Sequence, residues 1–316
     1  KEIRVLAGGG PGVRRMVARP PASEKARLEM ADHINRGSML RPSRQEVEER
    51  YAELVESNRV QLARLFGGRP RGEDYWAKRA QNFRPGVMDA PEVALLLSMA
   101  QAGDTWLDIG AGGGRYAIPL SEKVERVVAV EPSPAMRVQL EAAAAGAGRT
   151  NIEVVDMEWP SKPRDEAPEG DVSLMANVLY GAEDIGGFIA AAEAHTRRTC
   201  VVITHHRAPN SPVAEIWEAL HGEPFAELPA QRELVALLGA MGRRYGVYPM
   251  PAPPAPEQPH GEVVEASLWM YHVEAGSKGA AELGRLIARR ADPETGLVRM
   301  PVVRRHASVV AWPVER

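Results

Sequence analysis

Cysteine is almost absent: Cys200 is the only one in 316 residues. A single thiol excludes an intramolecular disulfide framework and any multi-cysteine zinc or iron–sulfur site. No apolar run approaches the ~18–20 residues that a membrane span requires, so no membrane partner is expected. An excess of basic charge is missing too. Lys and Arg number 39 against 42 Asp and Glu, a net charge of −3. No global field draws such a chain to nucleic acid or anionic lipid. The arginine pairs at 197–198, 243–244, 289–290 and 304–305 fall in different segments and read as solvated charge. The eight histidines show no ligand spacing beyond the adjacent pair His205–His206, so no metal is expected. There is no internal repeat. The apolar stretch within residues 1–22 is broken by Gly8–Gly9–Gly10 and Pro20–Pro21 and is too short for a signal-peptide core. Secretion is therefore not indicated, and a cytoplasmic location is the expectation.

What is present has the composition of a folded domain: 44% hydrophobic and 26% charged residues, which excludes global disorder or coiled coil. The length suits one large domain with appendages. Residues 1–40 read as a disordered tail. Ser43 and Glu46 have capping-box spacing. Behind them Val47, Tyr51, Leu54, Leu62 and Leu65 recur at helical intervals, and Gly67–Gly68 should end the helix. Shorter helices are expected over 73–83 and 91–101. Residues 41–101 thus form a helical cap.

The pattern then changes. Short β-branched or apolar runs at 105–110, 126–131, 151–156, 171–177 and 199–204 alternate with helical stretches at 115–124, 134–145 and 185–196. Such alternation predicts βαβ units and a parallel sheet covered on both faces. Pro119 should remove one hydrogen bond from the first of these helices. Farther on, 211–221, 231–241 and 277–290 read as helices and 262–273 as a helix or a strand. Residues 244–249 and 305–314 read as strands, and the proline-rich stretch 249–259 as a stiff connector.

The segment that carries chemistry is Asp108-Ile109-Gly110-Ala111-Gly112-Gly113-Gly114. It follows the first strand and opens a helix. Glycine there permits a sharp turn and lets a ligand approach the main chain, with helix N-terminal N–H groups facing it. Glu131 ends the second strand, where a carboxylate can accept hydrogen bonds from both hydroxyls of a ribose. Ser133-Pro134 starts the next helix with an N-cap and a proline at its first position. Strand, loop, helix, second strand and terminal acid together point to an adenosine-type ligand. The spacing G-x-G-x-G departs from the dinucleotide pattern G-x-G-x-x-G. Asp108 at the mouth of the loop would repel a pyrophosphate but suits a cationic ligand.

At these residues the chain resembles the class I S-adenosylmethionine-dependent methyltransferases of the small-molecule "type 11" kind, from Asp104 to about Thr204. LDIGAGGGRYAIPL is similar to their first motif and VVAVEPSPAM to their second. The resemblance implies a Rossmann-like three-layer α/β sandwich with a mostly parallel seven-stranded sheet of order 3-2-1-4-5-7-6. It would span residues 102–316, with a core at 104–204. The segment at about 254–300, set off by the proline run and carrying Trp269, Met270 and Tyr271, reads as a C-terminal lid insertion. The resemblance also implies S-adenosyl-L-methionine as cofactor. Cofactor contacts are then expected from Asp108, Gly110, Ala111, Gly112, Gly114, Glu131, Pro132 and Met136, and from Asp156, Met157 and Asn177 at the ends of the third and fourth strands.

His205, His206 and Tyr180 are candidates for a general base, although methyl transfer needs one only when the acceptor must lose a proton. Tyr75, Trp76 and Arg79, with Trp269 and Tyr271, are candidates to line the acceptor site. No N/D-P-P-Y/F sequence follows the fourth strand, against an adenine or glutamine-amide nitrogen as target. Cys200 lies inside a predicted strand, against a cysteine nucleophile. The expected partner is a small-molecule acceptor. The other readings are a non-catalytic cofactor-binding sensor or partner subunit, an NAD-dependent oxidoreductase and an RNA methyltransferase. Oligomeric state is not legible.

Overall fold

The computed structural model describes residues 42–67, 74, 80–83, 85–86, 91–160, 167–251, 255–300 and 307–315. The expected tail at 1–40 lies outside the described residues. Five parallel strands make the centre: β1 (Thr105–Ile109), β2 (Arg126–Val130), β3 (Ile152–Val155), β4 (Gly170–Ala176) and β5 (Thr196–His205). Two antiparallel strands, β6 (Gly246–Pro249) and β9 (Ala307–Pro313), extend the sheet beyond β5. The order is β3-β2-β1-β4-β5-β9-β6. This is the expected order, with β9 standing where the strand numbered seven was expected, between β5 and β6. The intervening β7 (Gln258–Pro259) and β8 (Leu297–Val298) form a separate two-stranded antiparallel sheet, and Val298 also bridges to Ala291.

Alternation along the strands divides the core into two faces. Leu107, Ile109, Cys200 and Val202 point to one side. Helices α1 (Arg44–Phe66), α5 (Ile185–Ala194) and α7 (Gln231–Ala240) cover that side with Val47, Tyr51, Val55, Ile189, Leu234 and Leu237. Trp106, Val201 and Ile203 point to the other. There α2 (Glu92–Met99) supplies Leu96, and α3 (Ala117–Leu120) supplies Ala117 and Leu120. Helix α4 (Pro134–Gly146) adds Leu140 beside Ala129. Asp108 lies between Trp106 and Gly110 and is wholly buried.

Helix α1 starts on the expected capping box, with the Ser43 N–H donating to Glu46 Oε2 at 2.7 Å and the Glu46 N–H to Ser43 Oγ at 3.2 Å. It is bolted down farther along. Gln61 donates to the Pro224 carbonyl and accepts from the Ala226 N–H, and Asn58 donates to the Ala226 carbonyl. Helix α3 is shorter than the expected 115–124. Pro119 has no N–H to donate between the Ile118 N–H to Gly114 and Leu120 N–H to Tyr116 bonds, and the helix stops at Leu120.

A separate apolar cluster holds the C-terminal segment. Helices α6 (Ala214–His221), α8 (His260–Leu268) and α9 (Lys278–Ala288) meet through Ile216, Trp217, Val263, Tyr271, Leu283 and Ile287. Leu62 and Leu65 of α1 pack against it. The stretch 262–273, open between helix and strand in the sequence, is therefore helical up to Leu268. Among the described residues no helix is long and apolar enough to cross a membrane.

Candidate functional site

The loop after β1 is shaped by three glycines in the left-handed region: Gly110 at φ 75°, Gly112 at φ 56° and Gly114 at φ 89°. The Gly110 and Ala111 N–H groups donate to the Val130 carbonyl at 2.8 and 3.1 Å, tying the loop to the end of β2. The glycines differ in their surroundings. A Cβ on Gly110 would lie 2.4 Å from Val178 Cγ1, whereas on Gly112 it would meet nothing nearer than Met136 Sδ and Phe83 Cβ, both at 3.9 Å. Gly112 thus leaves an open cradle. Gly110→Ala is expected to destabilise the protein by about 2–3 kcal/mol through backbone strain and overpacking. A thermal melt within 1 °C of wild type would contradict this packing.

Glu131 is nearly buried, and its two oxygens hold the two sides of the cleft. Oε2 accepts from the Gly112 N–H and Oε1 from the Ser133 N–H, each at 2.8 Å. Burial raises its pKa, while these two hydrogen bonds and the Arg137 charge pull the other way. A carboxylate has about four lone-pair sites, so acceptor capacity remains. Behind it the Asp108 carboxylate has no hydrogen-bond partner among the described residues. Burial, and secondly the Glu131 charge, push it up to about 7. A buried carboxylate with no donor beside an open backbone cradle fits a cationic group.

The other expected cofactor residues cluster around this centre. Ser133 caps α4 through the Met136 N–H, and Met136 is buried under the loop while Pro132 is exposed. Asp156 stands at the end of β3 with its side chain 70% exposed and paired to Arg137 Nη1 at 2.7 Å. Met157 is partly buried against the core. Arg137 also donates to the Glu131 and Pro132 carbonyls, so it braces the whole edge from β2 to β3. Arg137 was not foreseen; its position on the first turn of α4, six residues after Glu131, was the available signal.

Asp74 and Phe83 were not foreseen either. Asp74 accepts from Ser133 Oγ and the Ala135 N–H at 2.8 and 3.0 Å, adding negative charge at the α4 N-terminus. Phe83, from the 3-10 turn Ala80–Phe83, faces Gly112, with the Arg115 guanidinium 5.6 Å from its ring centre. Nothing local in the sequence links position 74 to 133. Tyr75, Trp76 and Arg79 lie outside the described residues.

Asn177, Tyr180 and His205 converge at the carboxyl ends of β4 and β5. His206 is exposed. Asn177 and Tyr180 occupy the first and last places of an N-x-x-Y sequence, with Val178 and Leu179 where the nitrogen-methylating pattern has prolines. Of the expected lid residues, Trp269 is exposed. Tyr271 is fully buried in the C-terminal cluster, its hydroxyl accepting from the Val213 N–H at 3.1 Å. That environment is a core rather than a pocket wall. Among the described residues no group of three His, Cys, Asp or Glu side chains is arranged to hold a metal.

Comparison with known proteins bears on the same strands. A family model described as a methyltransferase domain matches residues 107–203. Residues 107–203 belong to the class I S-adenosylmethionine-dependent methyltransferases. This methyltransferase domain runs from β1 to β5, so it includes the glycine loop, Glu131 and the Asn177–Tyr180 turn. The ribosomal RNA small subunit methyltransferase A of Nocardia farcinica is 31% identical over 170 residues, which are 52% of this chain and 55% of that protein. The chain thus spans about half the length of that relative. Two solved structures are similar. The YcgJ protein of Bacillus subtilis has a TM-score of 0.49 at 12% identity, over 71% of this chain and 98% of that one. The magnesium protoporphyrin IX methyltransferase of Synechocystis, with bound S-adenosylhomocysteine, has a TM-score of 0.45 at 11% identity, over 85% of this chain and 100% of that one.

Proposed function

We propose that the protein transfers the methyl group of S-adenosylmethionine to a small organic acceptor by in-line displacement. The observation that carries this reading is the pairing of the Gly112 cradle, held by Glu131, with a buried Asp108 carboxylate that has no donor among the described residues. In this reading Glu131 accepts from the ribose hydroxyls and Asp108 faces the ammonium of the cofactor's amino-acid end. The backbone of Gly110, Ala111, Gly112 and Gly114 lies along it, and Asp156 with Met157 receives the adenine edge. The bound cofactor supplies an activated methyl group on sulfur, and the protein's task is to hold the acceptor in line with it.

A small acceptor is favoured by the charge distribution. Exposed arginines such as Arg59, Arg126, Arg243 and Arg299 each pair with a carboxylate, which leaves no continuous basic face among them. The ribosomal RNA acceptor named for the Nocardia relative is the competing reading, and it is supported by that protein's identity alone.

The test is a titration with S-adenosylhomocysteine and, in parallel, NAD, followed by incubation with methyl-labelled cofactor and a cell extract split into metabolite and RNA fractions. The expected result is binding of S-adenosylhomocysteine but not NAD, with label in the metabolites. Label confined to RNA overturns the small-acceptor reading. Binding without any transfer supports a sensor or partner subunit. Glu131→Ala is expected to weaken S-adenosylhomocysteine by roughly tenfold to a hundredfold, since a charged hydrogen-bond acceptor is worth ~1.5–3 kcal/mol. An unchanged dissociation constant in a variant that still melts cooperatively removes Glu131 from the site.

A further inference from the structure

Arg137 serves three acceptors through a single nitrogen. Its Nη1 donates to the Glu131 carbonyl at 2.9 Å, to the Pro132 carbonyl at 2.8 Å and to Asp156 Oδ1 at 2.7 Å. The two carbonyls follow β2 and the carboxylate follows β3. Those strand ends are already in register, Val130 beside Val155, and the Glu131 N–H donates to the Val155 carbonyl at 3.0 Å. Asp156 is thereby fastened beside Glu131, the residue whose own carboxylate takes the Gly112 N–H of the glycine loop.

Stability does not account for this arginine. The Asp156 side chain is 70% exposed, and an ion pair with so exposed a member adds little to the fold. Arg137 also lies in the first turn of α4, where the helix dipole disfavours a cation. What the arrangement does is fix a surface carboxylate that would otherwise sample several rotamers. Oδ1 is held by Arg137, and Oδ2 keeps its lone pairs for a donor from outside.

We infer that Arg137 is a positioning residue for recognition of the adenine base, acting through Asp156. This rests on the methyltransferase reading above, in which Asp156 receives the adenine edge. A carboxylate paired to a guanidinium offers lone pairs only, so it accepts from the adenine amino group and repels a base with a carbonyl oxygen at that place. Because the side chain is held before the cofactor arrives, binding does not have to order it. Glu131 for the ribose and Asp156 for the base then stand at a spacing that one nitrogen sets.

The test uses two ligands, S-adenosylhomocysteine and S-inosylhomocysteine, in which a carbonyl oxygen replaces the adenine amino group. Calorimetric titration of the wild-type protein should favour S-adenosylhomocysteine by at least about tenfold, the scale of one hydrogen bond to a charged group. In Arg137→Ala that preference should fall to within about threefold, less than ~1 kcal/mol. A residue that only braced the strands would weaken both ligands alike and leave their ratio unchanged. Arg137→Lys should keep part of the preference, since one nitrogen makes all three bonds and an ammonium has three donors. Asp156→Ala should lose the preference, and adding Arg137→Ala to it should change the ratio no further. If Arg137→Ala does not melt cooperatively, Arg137→Met, which keeps the stem and loses the donor, takes its place. Equal binding of the two ligands by the wild-type protein, or a wild-type ratio in Arg137→Ala, overturns the proposal and leaves the methyltransferase reading intact. Failure of the wild-type protein to bind S-adenosylhomocysteine at all overturns that reading instead.

Discussion

Tyr271→Ala is expected to cost about 3–5 kcal/mol, the range for removing a fully buried aromatic ring, and to lower the melting temperature by roughly 10 °C. The ring lies among Val213, Ile216, Trp217, Leu283 and Ile287, and its removal would leave a cavity at the junction of α6, α8 and α9. The hydroxyl adds the bond from the Val213 N–H. Tyr271→Phe isolates that term and should cost about 1 kcal/mol. Trp269 stands two residues away and is 41% exposed. Trp269→Ala should therefore stay within about 1 kcal/mol of wild type, as surface changes do. Chemical denaturation of the three variants checks the order. If Tyr271→Ala kept the wild-type midpoint and lost only turnover, the C-terminal segment would be a lid and not a packed layer.

The contrast between these neighbours shows what spacing can and cannot carry. Trp269 and Tyr271 are both aromatic and lie in one short stretch, so the sequence offers them as equals. Which one is buried depends on how the segment after α8 turns against α6, a contact between positions 271 and 213. The same holds at the site. The glycine loop, Glu131 and the Ser133 cap were legible because each is set within a few residues by backbone conformation or strand end. The capping box at Ser43 and Glu46 was legible for the same reason. Asn177, Tyr180 and His205 were each visible as candidates. Their meeting depends on the parallel register that pairs Ala176 with Ile203. Asp74 reaches Ser133 across 59 positions with no periodic signal to announce it. Pro119 suggests a helix over 115–124 short of one bond, whereas the structure has a four-residue helix that ends one residue after the proline.

Asp108→Asn should change both stability and cofactor binding, in opposite directions. The carboxyl is raised from 3.8 to about 7 by burial and by the Glu131 charge. In the unfolded chain it ionises near pH 4, whereas in the folded protein it keeps its proton until about pH 7. Over that interval the folded state binds more protons than the unfolded one, so this group's contribution to stability falls as pH rises. The fall amounts to about 4 kcal/mol, from roughly 1.4 kcal/mol per pKa unit. Asparagine has the same shape and no charge to bury. Its amide has its own hydrogen-bonding cost, but that cost does not vary with pH. The stability difference between Asp108→Asn and wild type should therefore move in favour of the variant by a few kcal/mol between pH 5 and pH 8. Urea denaturation at the two pH values measures it, and parallel pH dependence in the two proteins would show that Asp108 does not titrate in this range.

Binding should reverse the advantage. A ligand ammonium beside the ionised carboxylate offsets the burial penalty that the ligand-free protein carries. S-adenosylhomocysteine should accordingly stabilise wild type more strongly at pH 8 than at pH 5.5, and Asp108→Asn should lose at least about tenfold in affinity at pH 8, equivalent to ~1.4 kcal/mol. If affinity in the variant equalled that of wild type at pH 8, the carboxylate would not face the ligand. Its burial under the glycine loop would then need another cause.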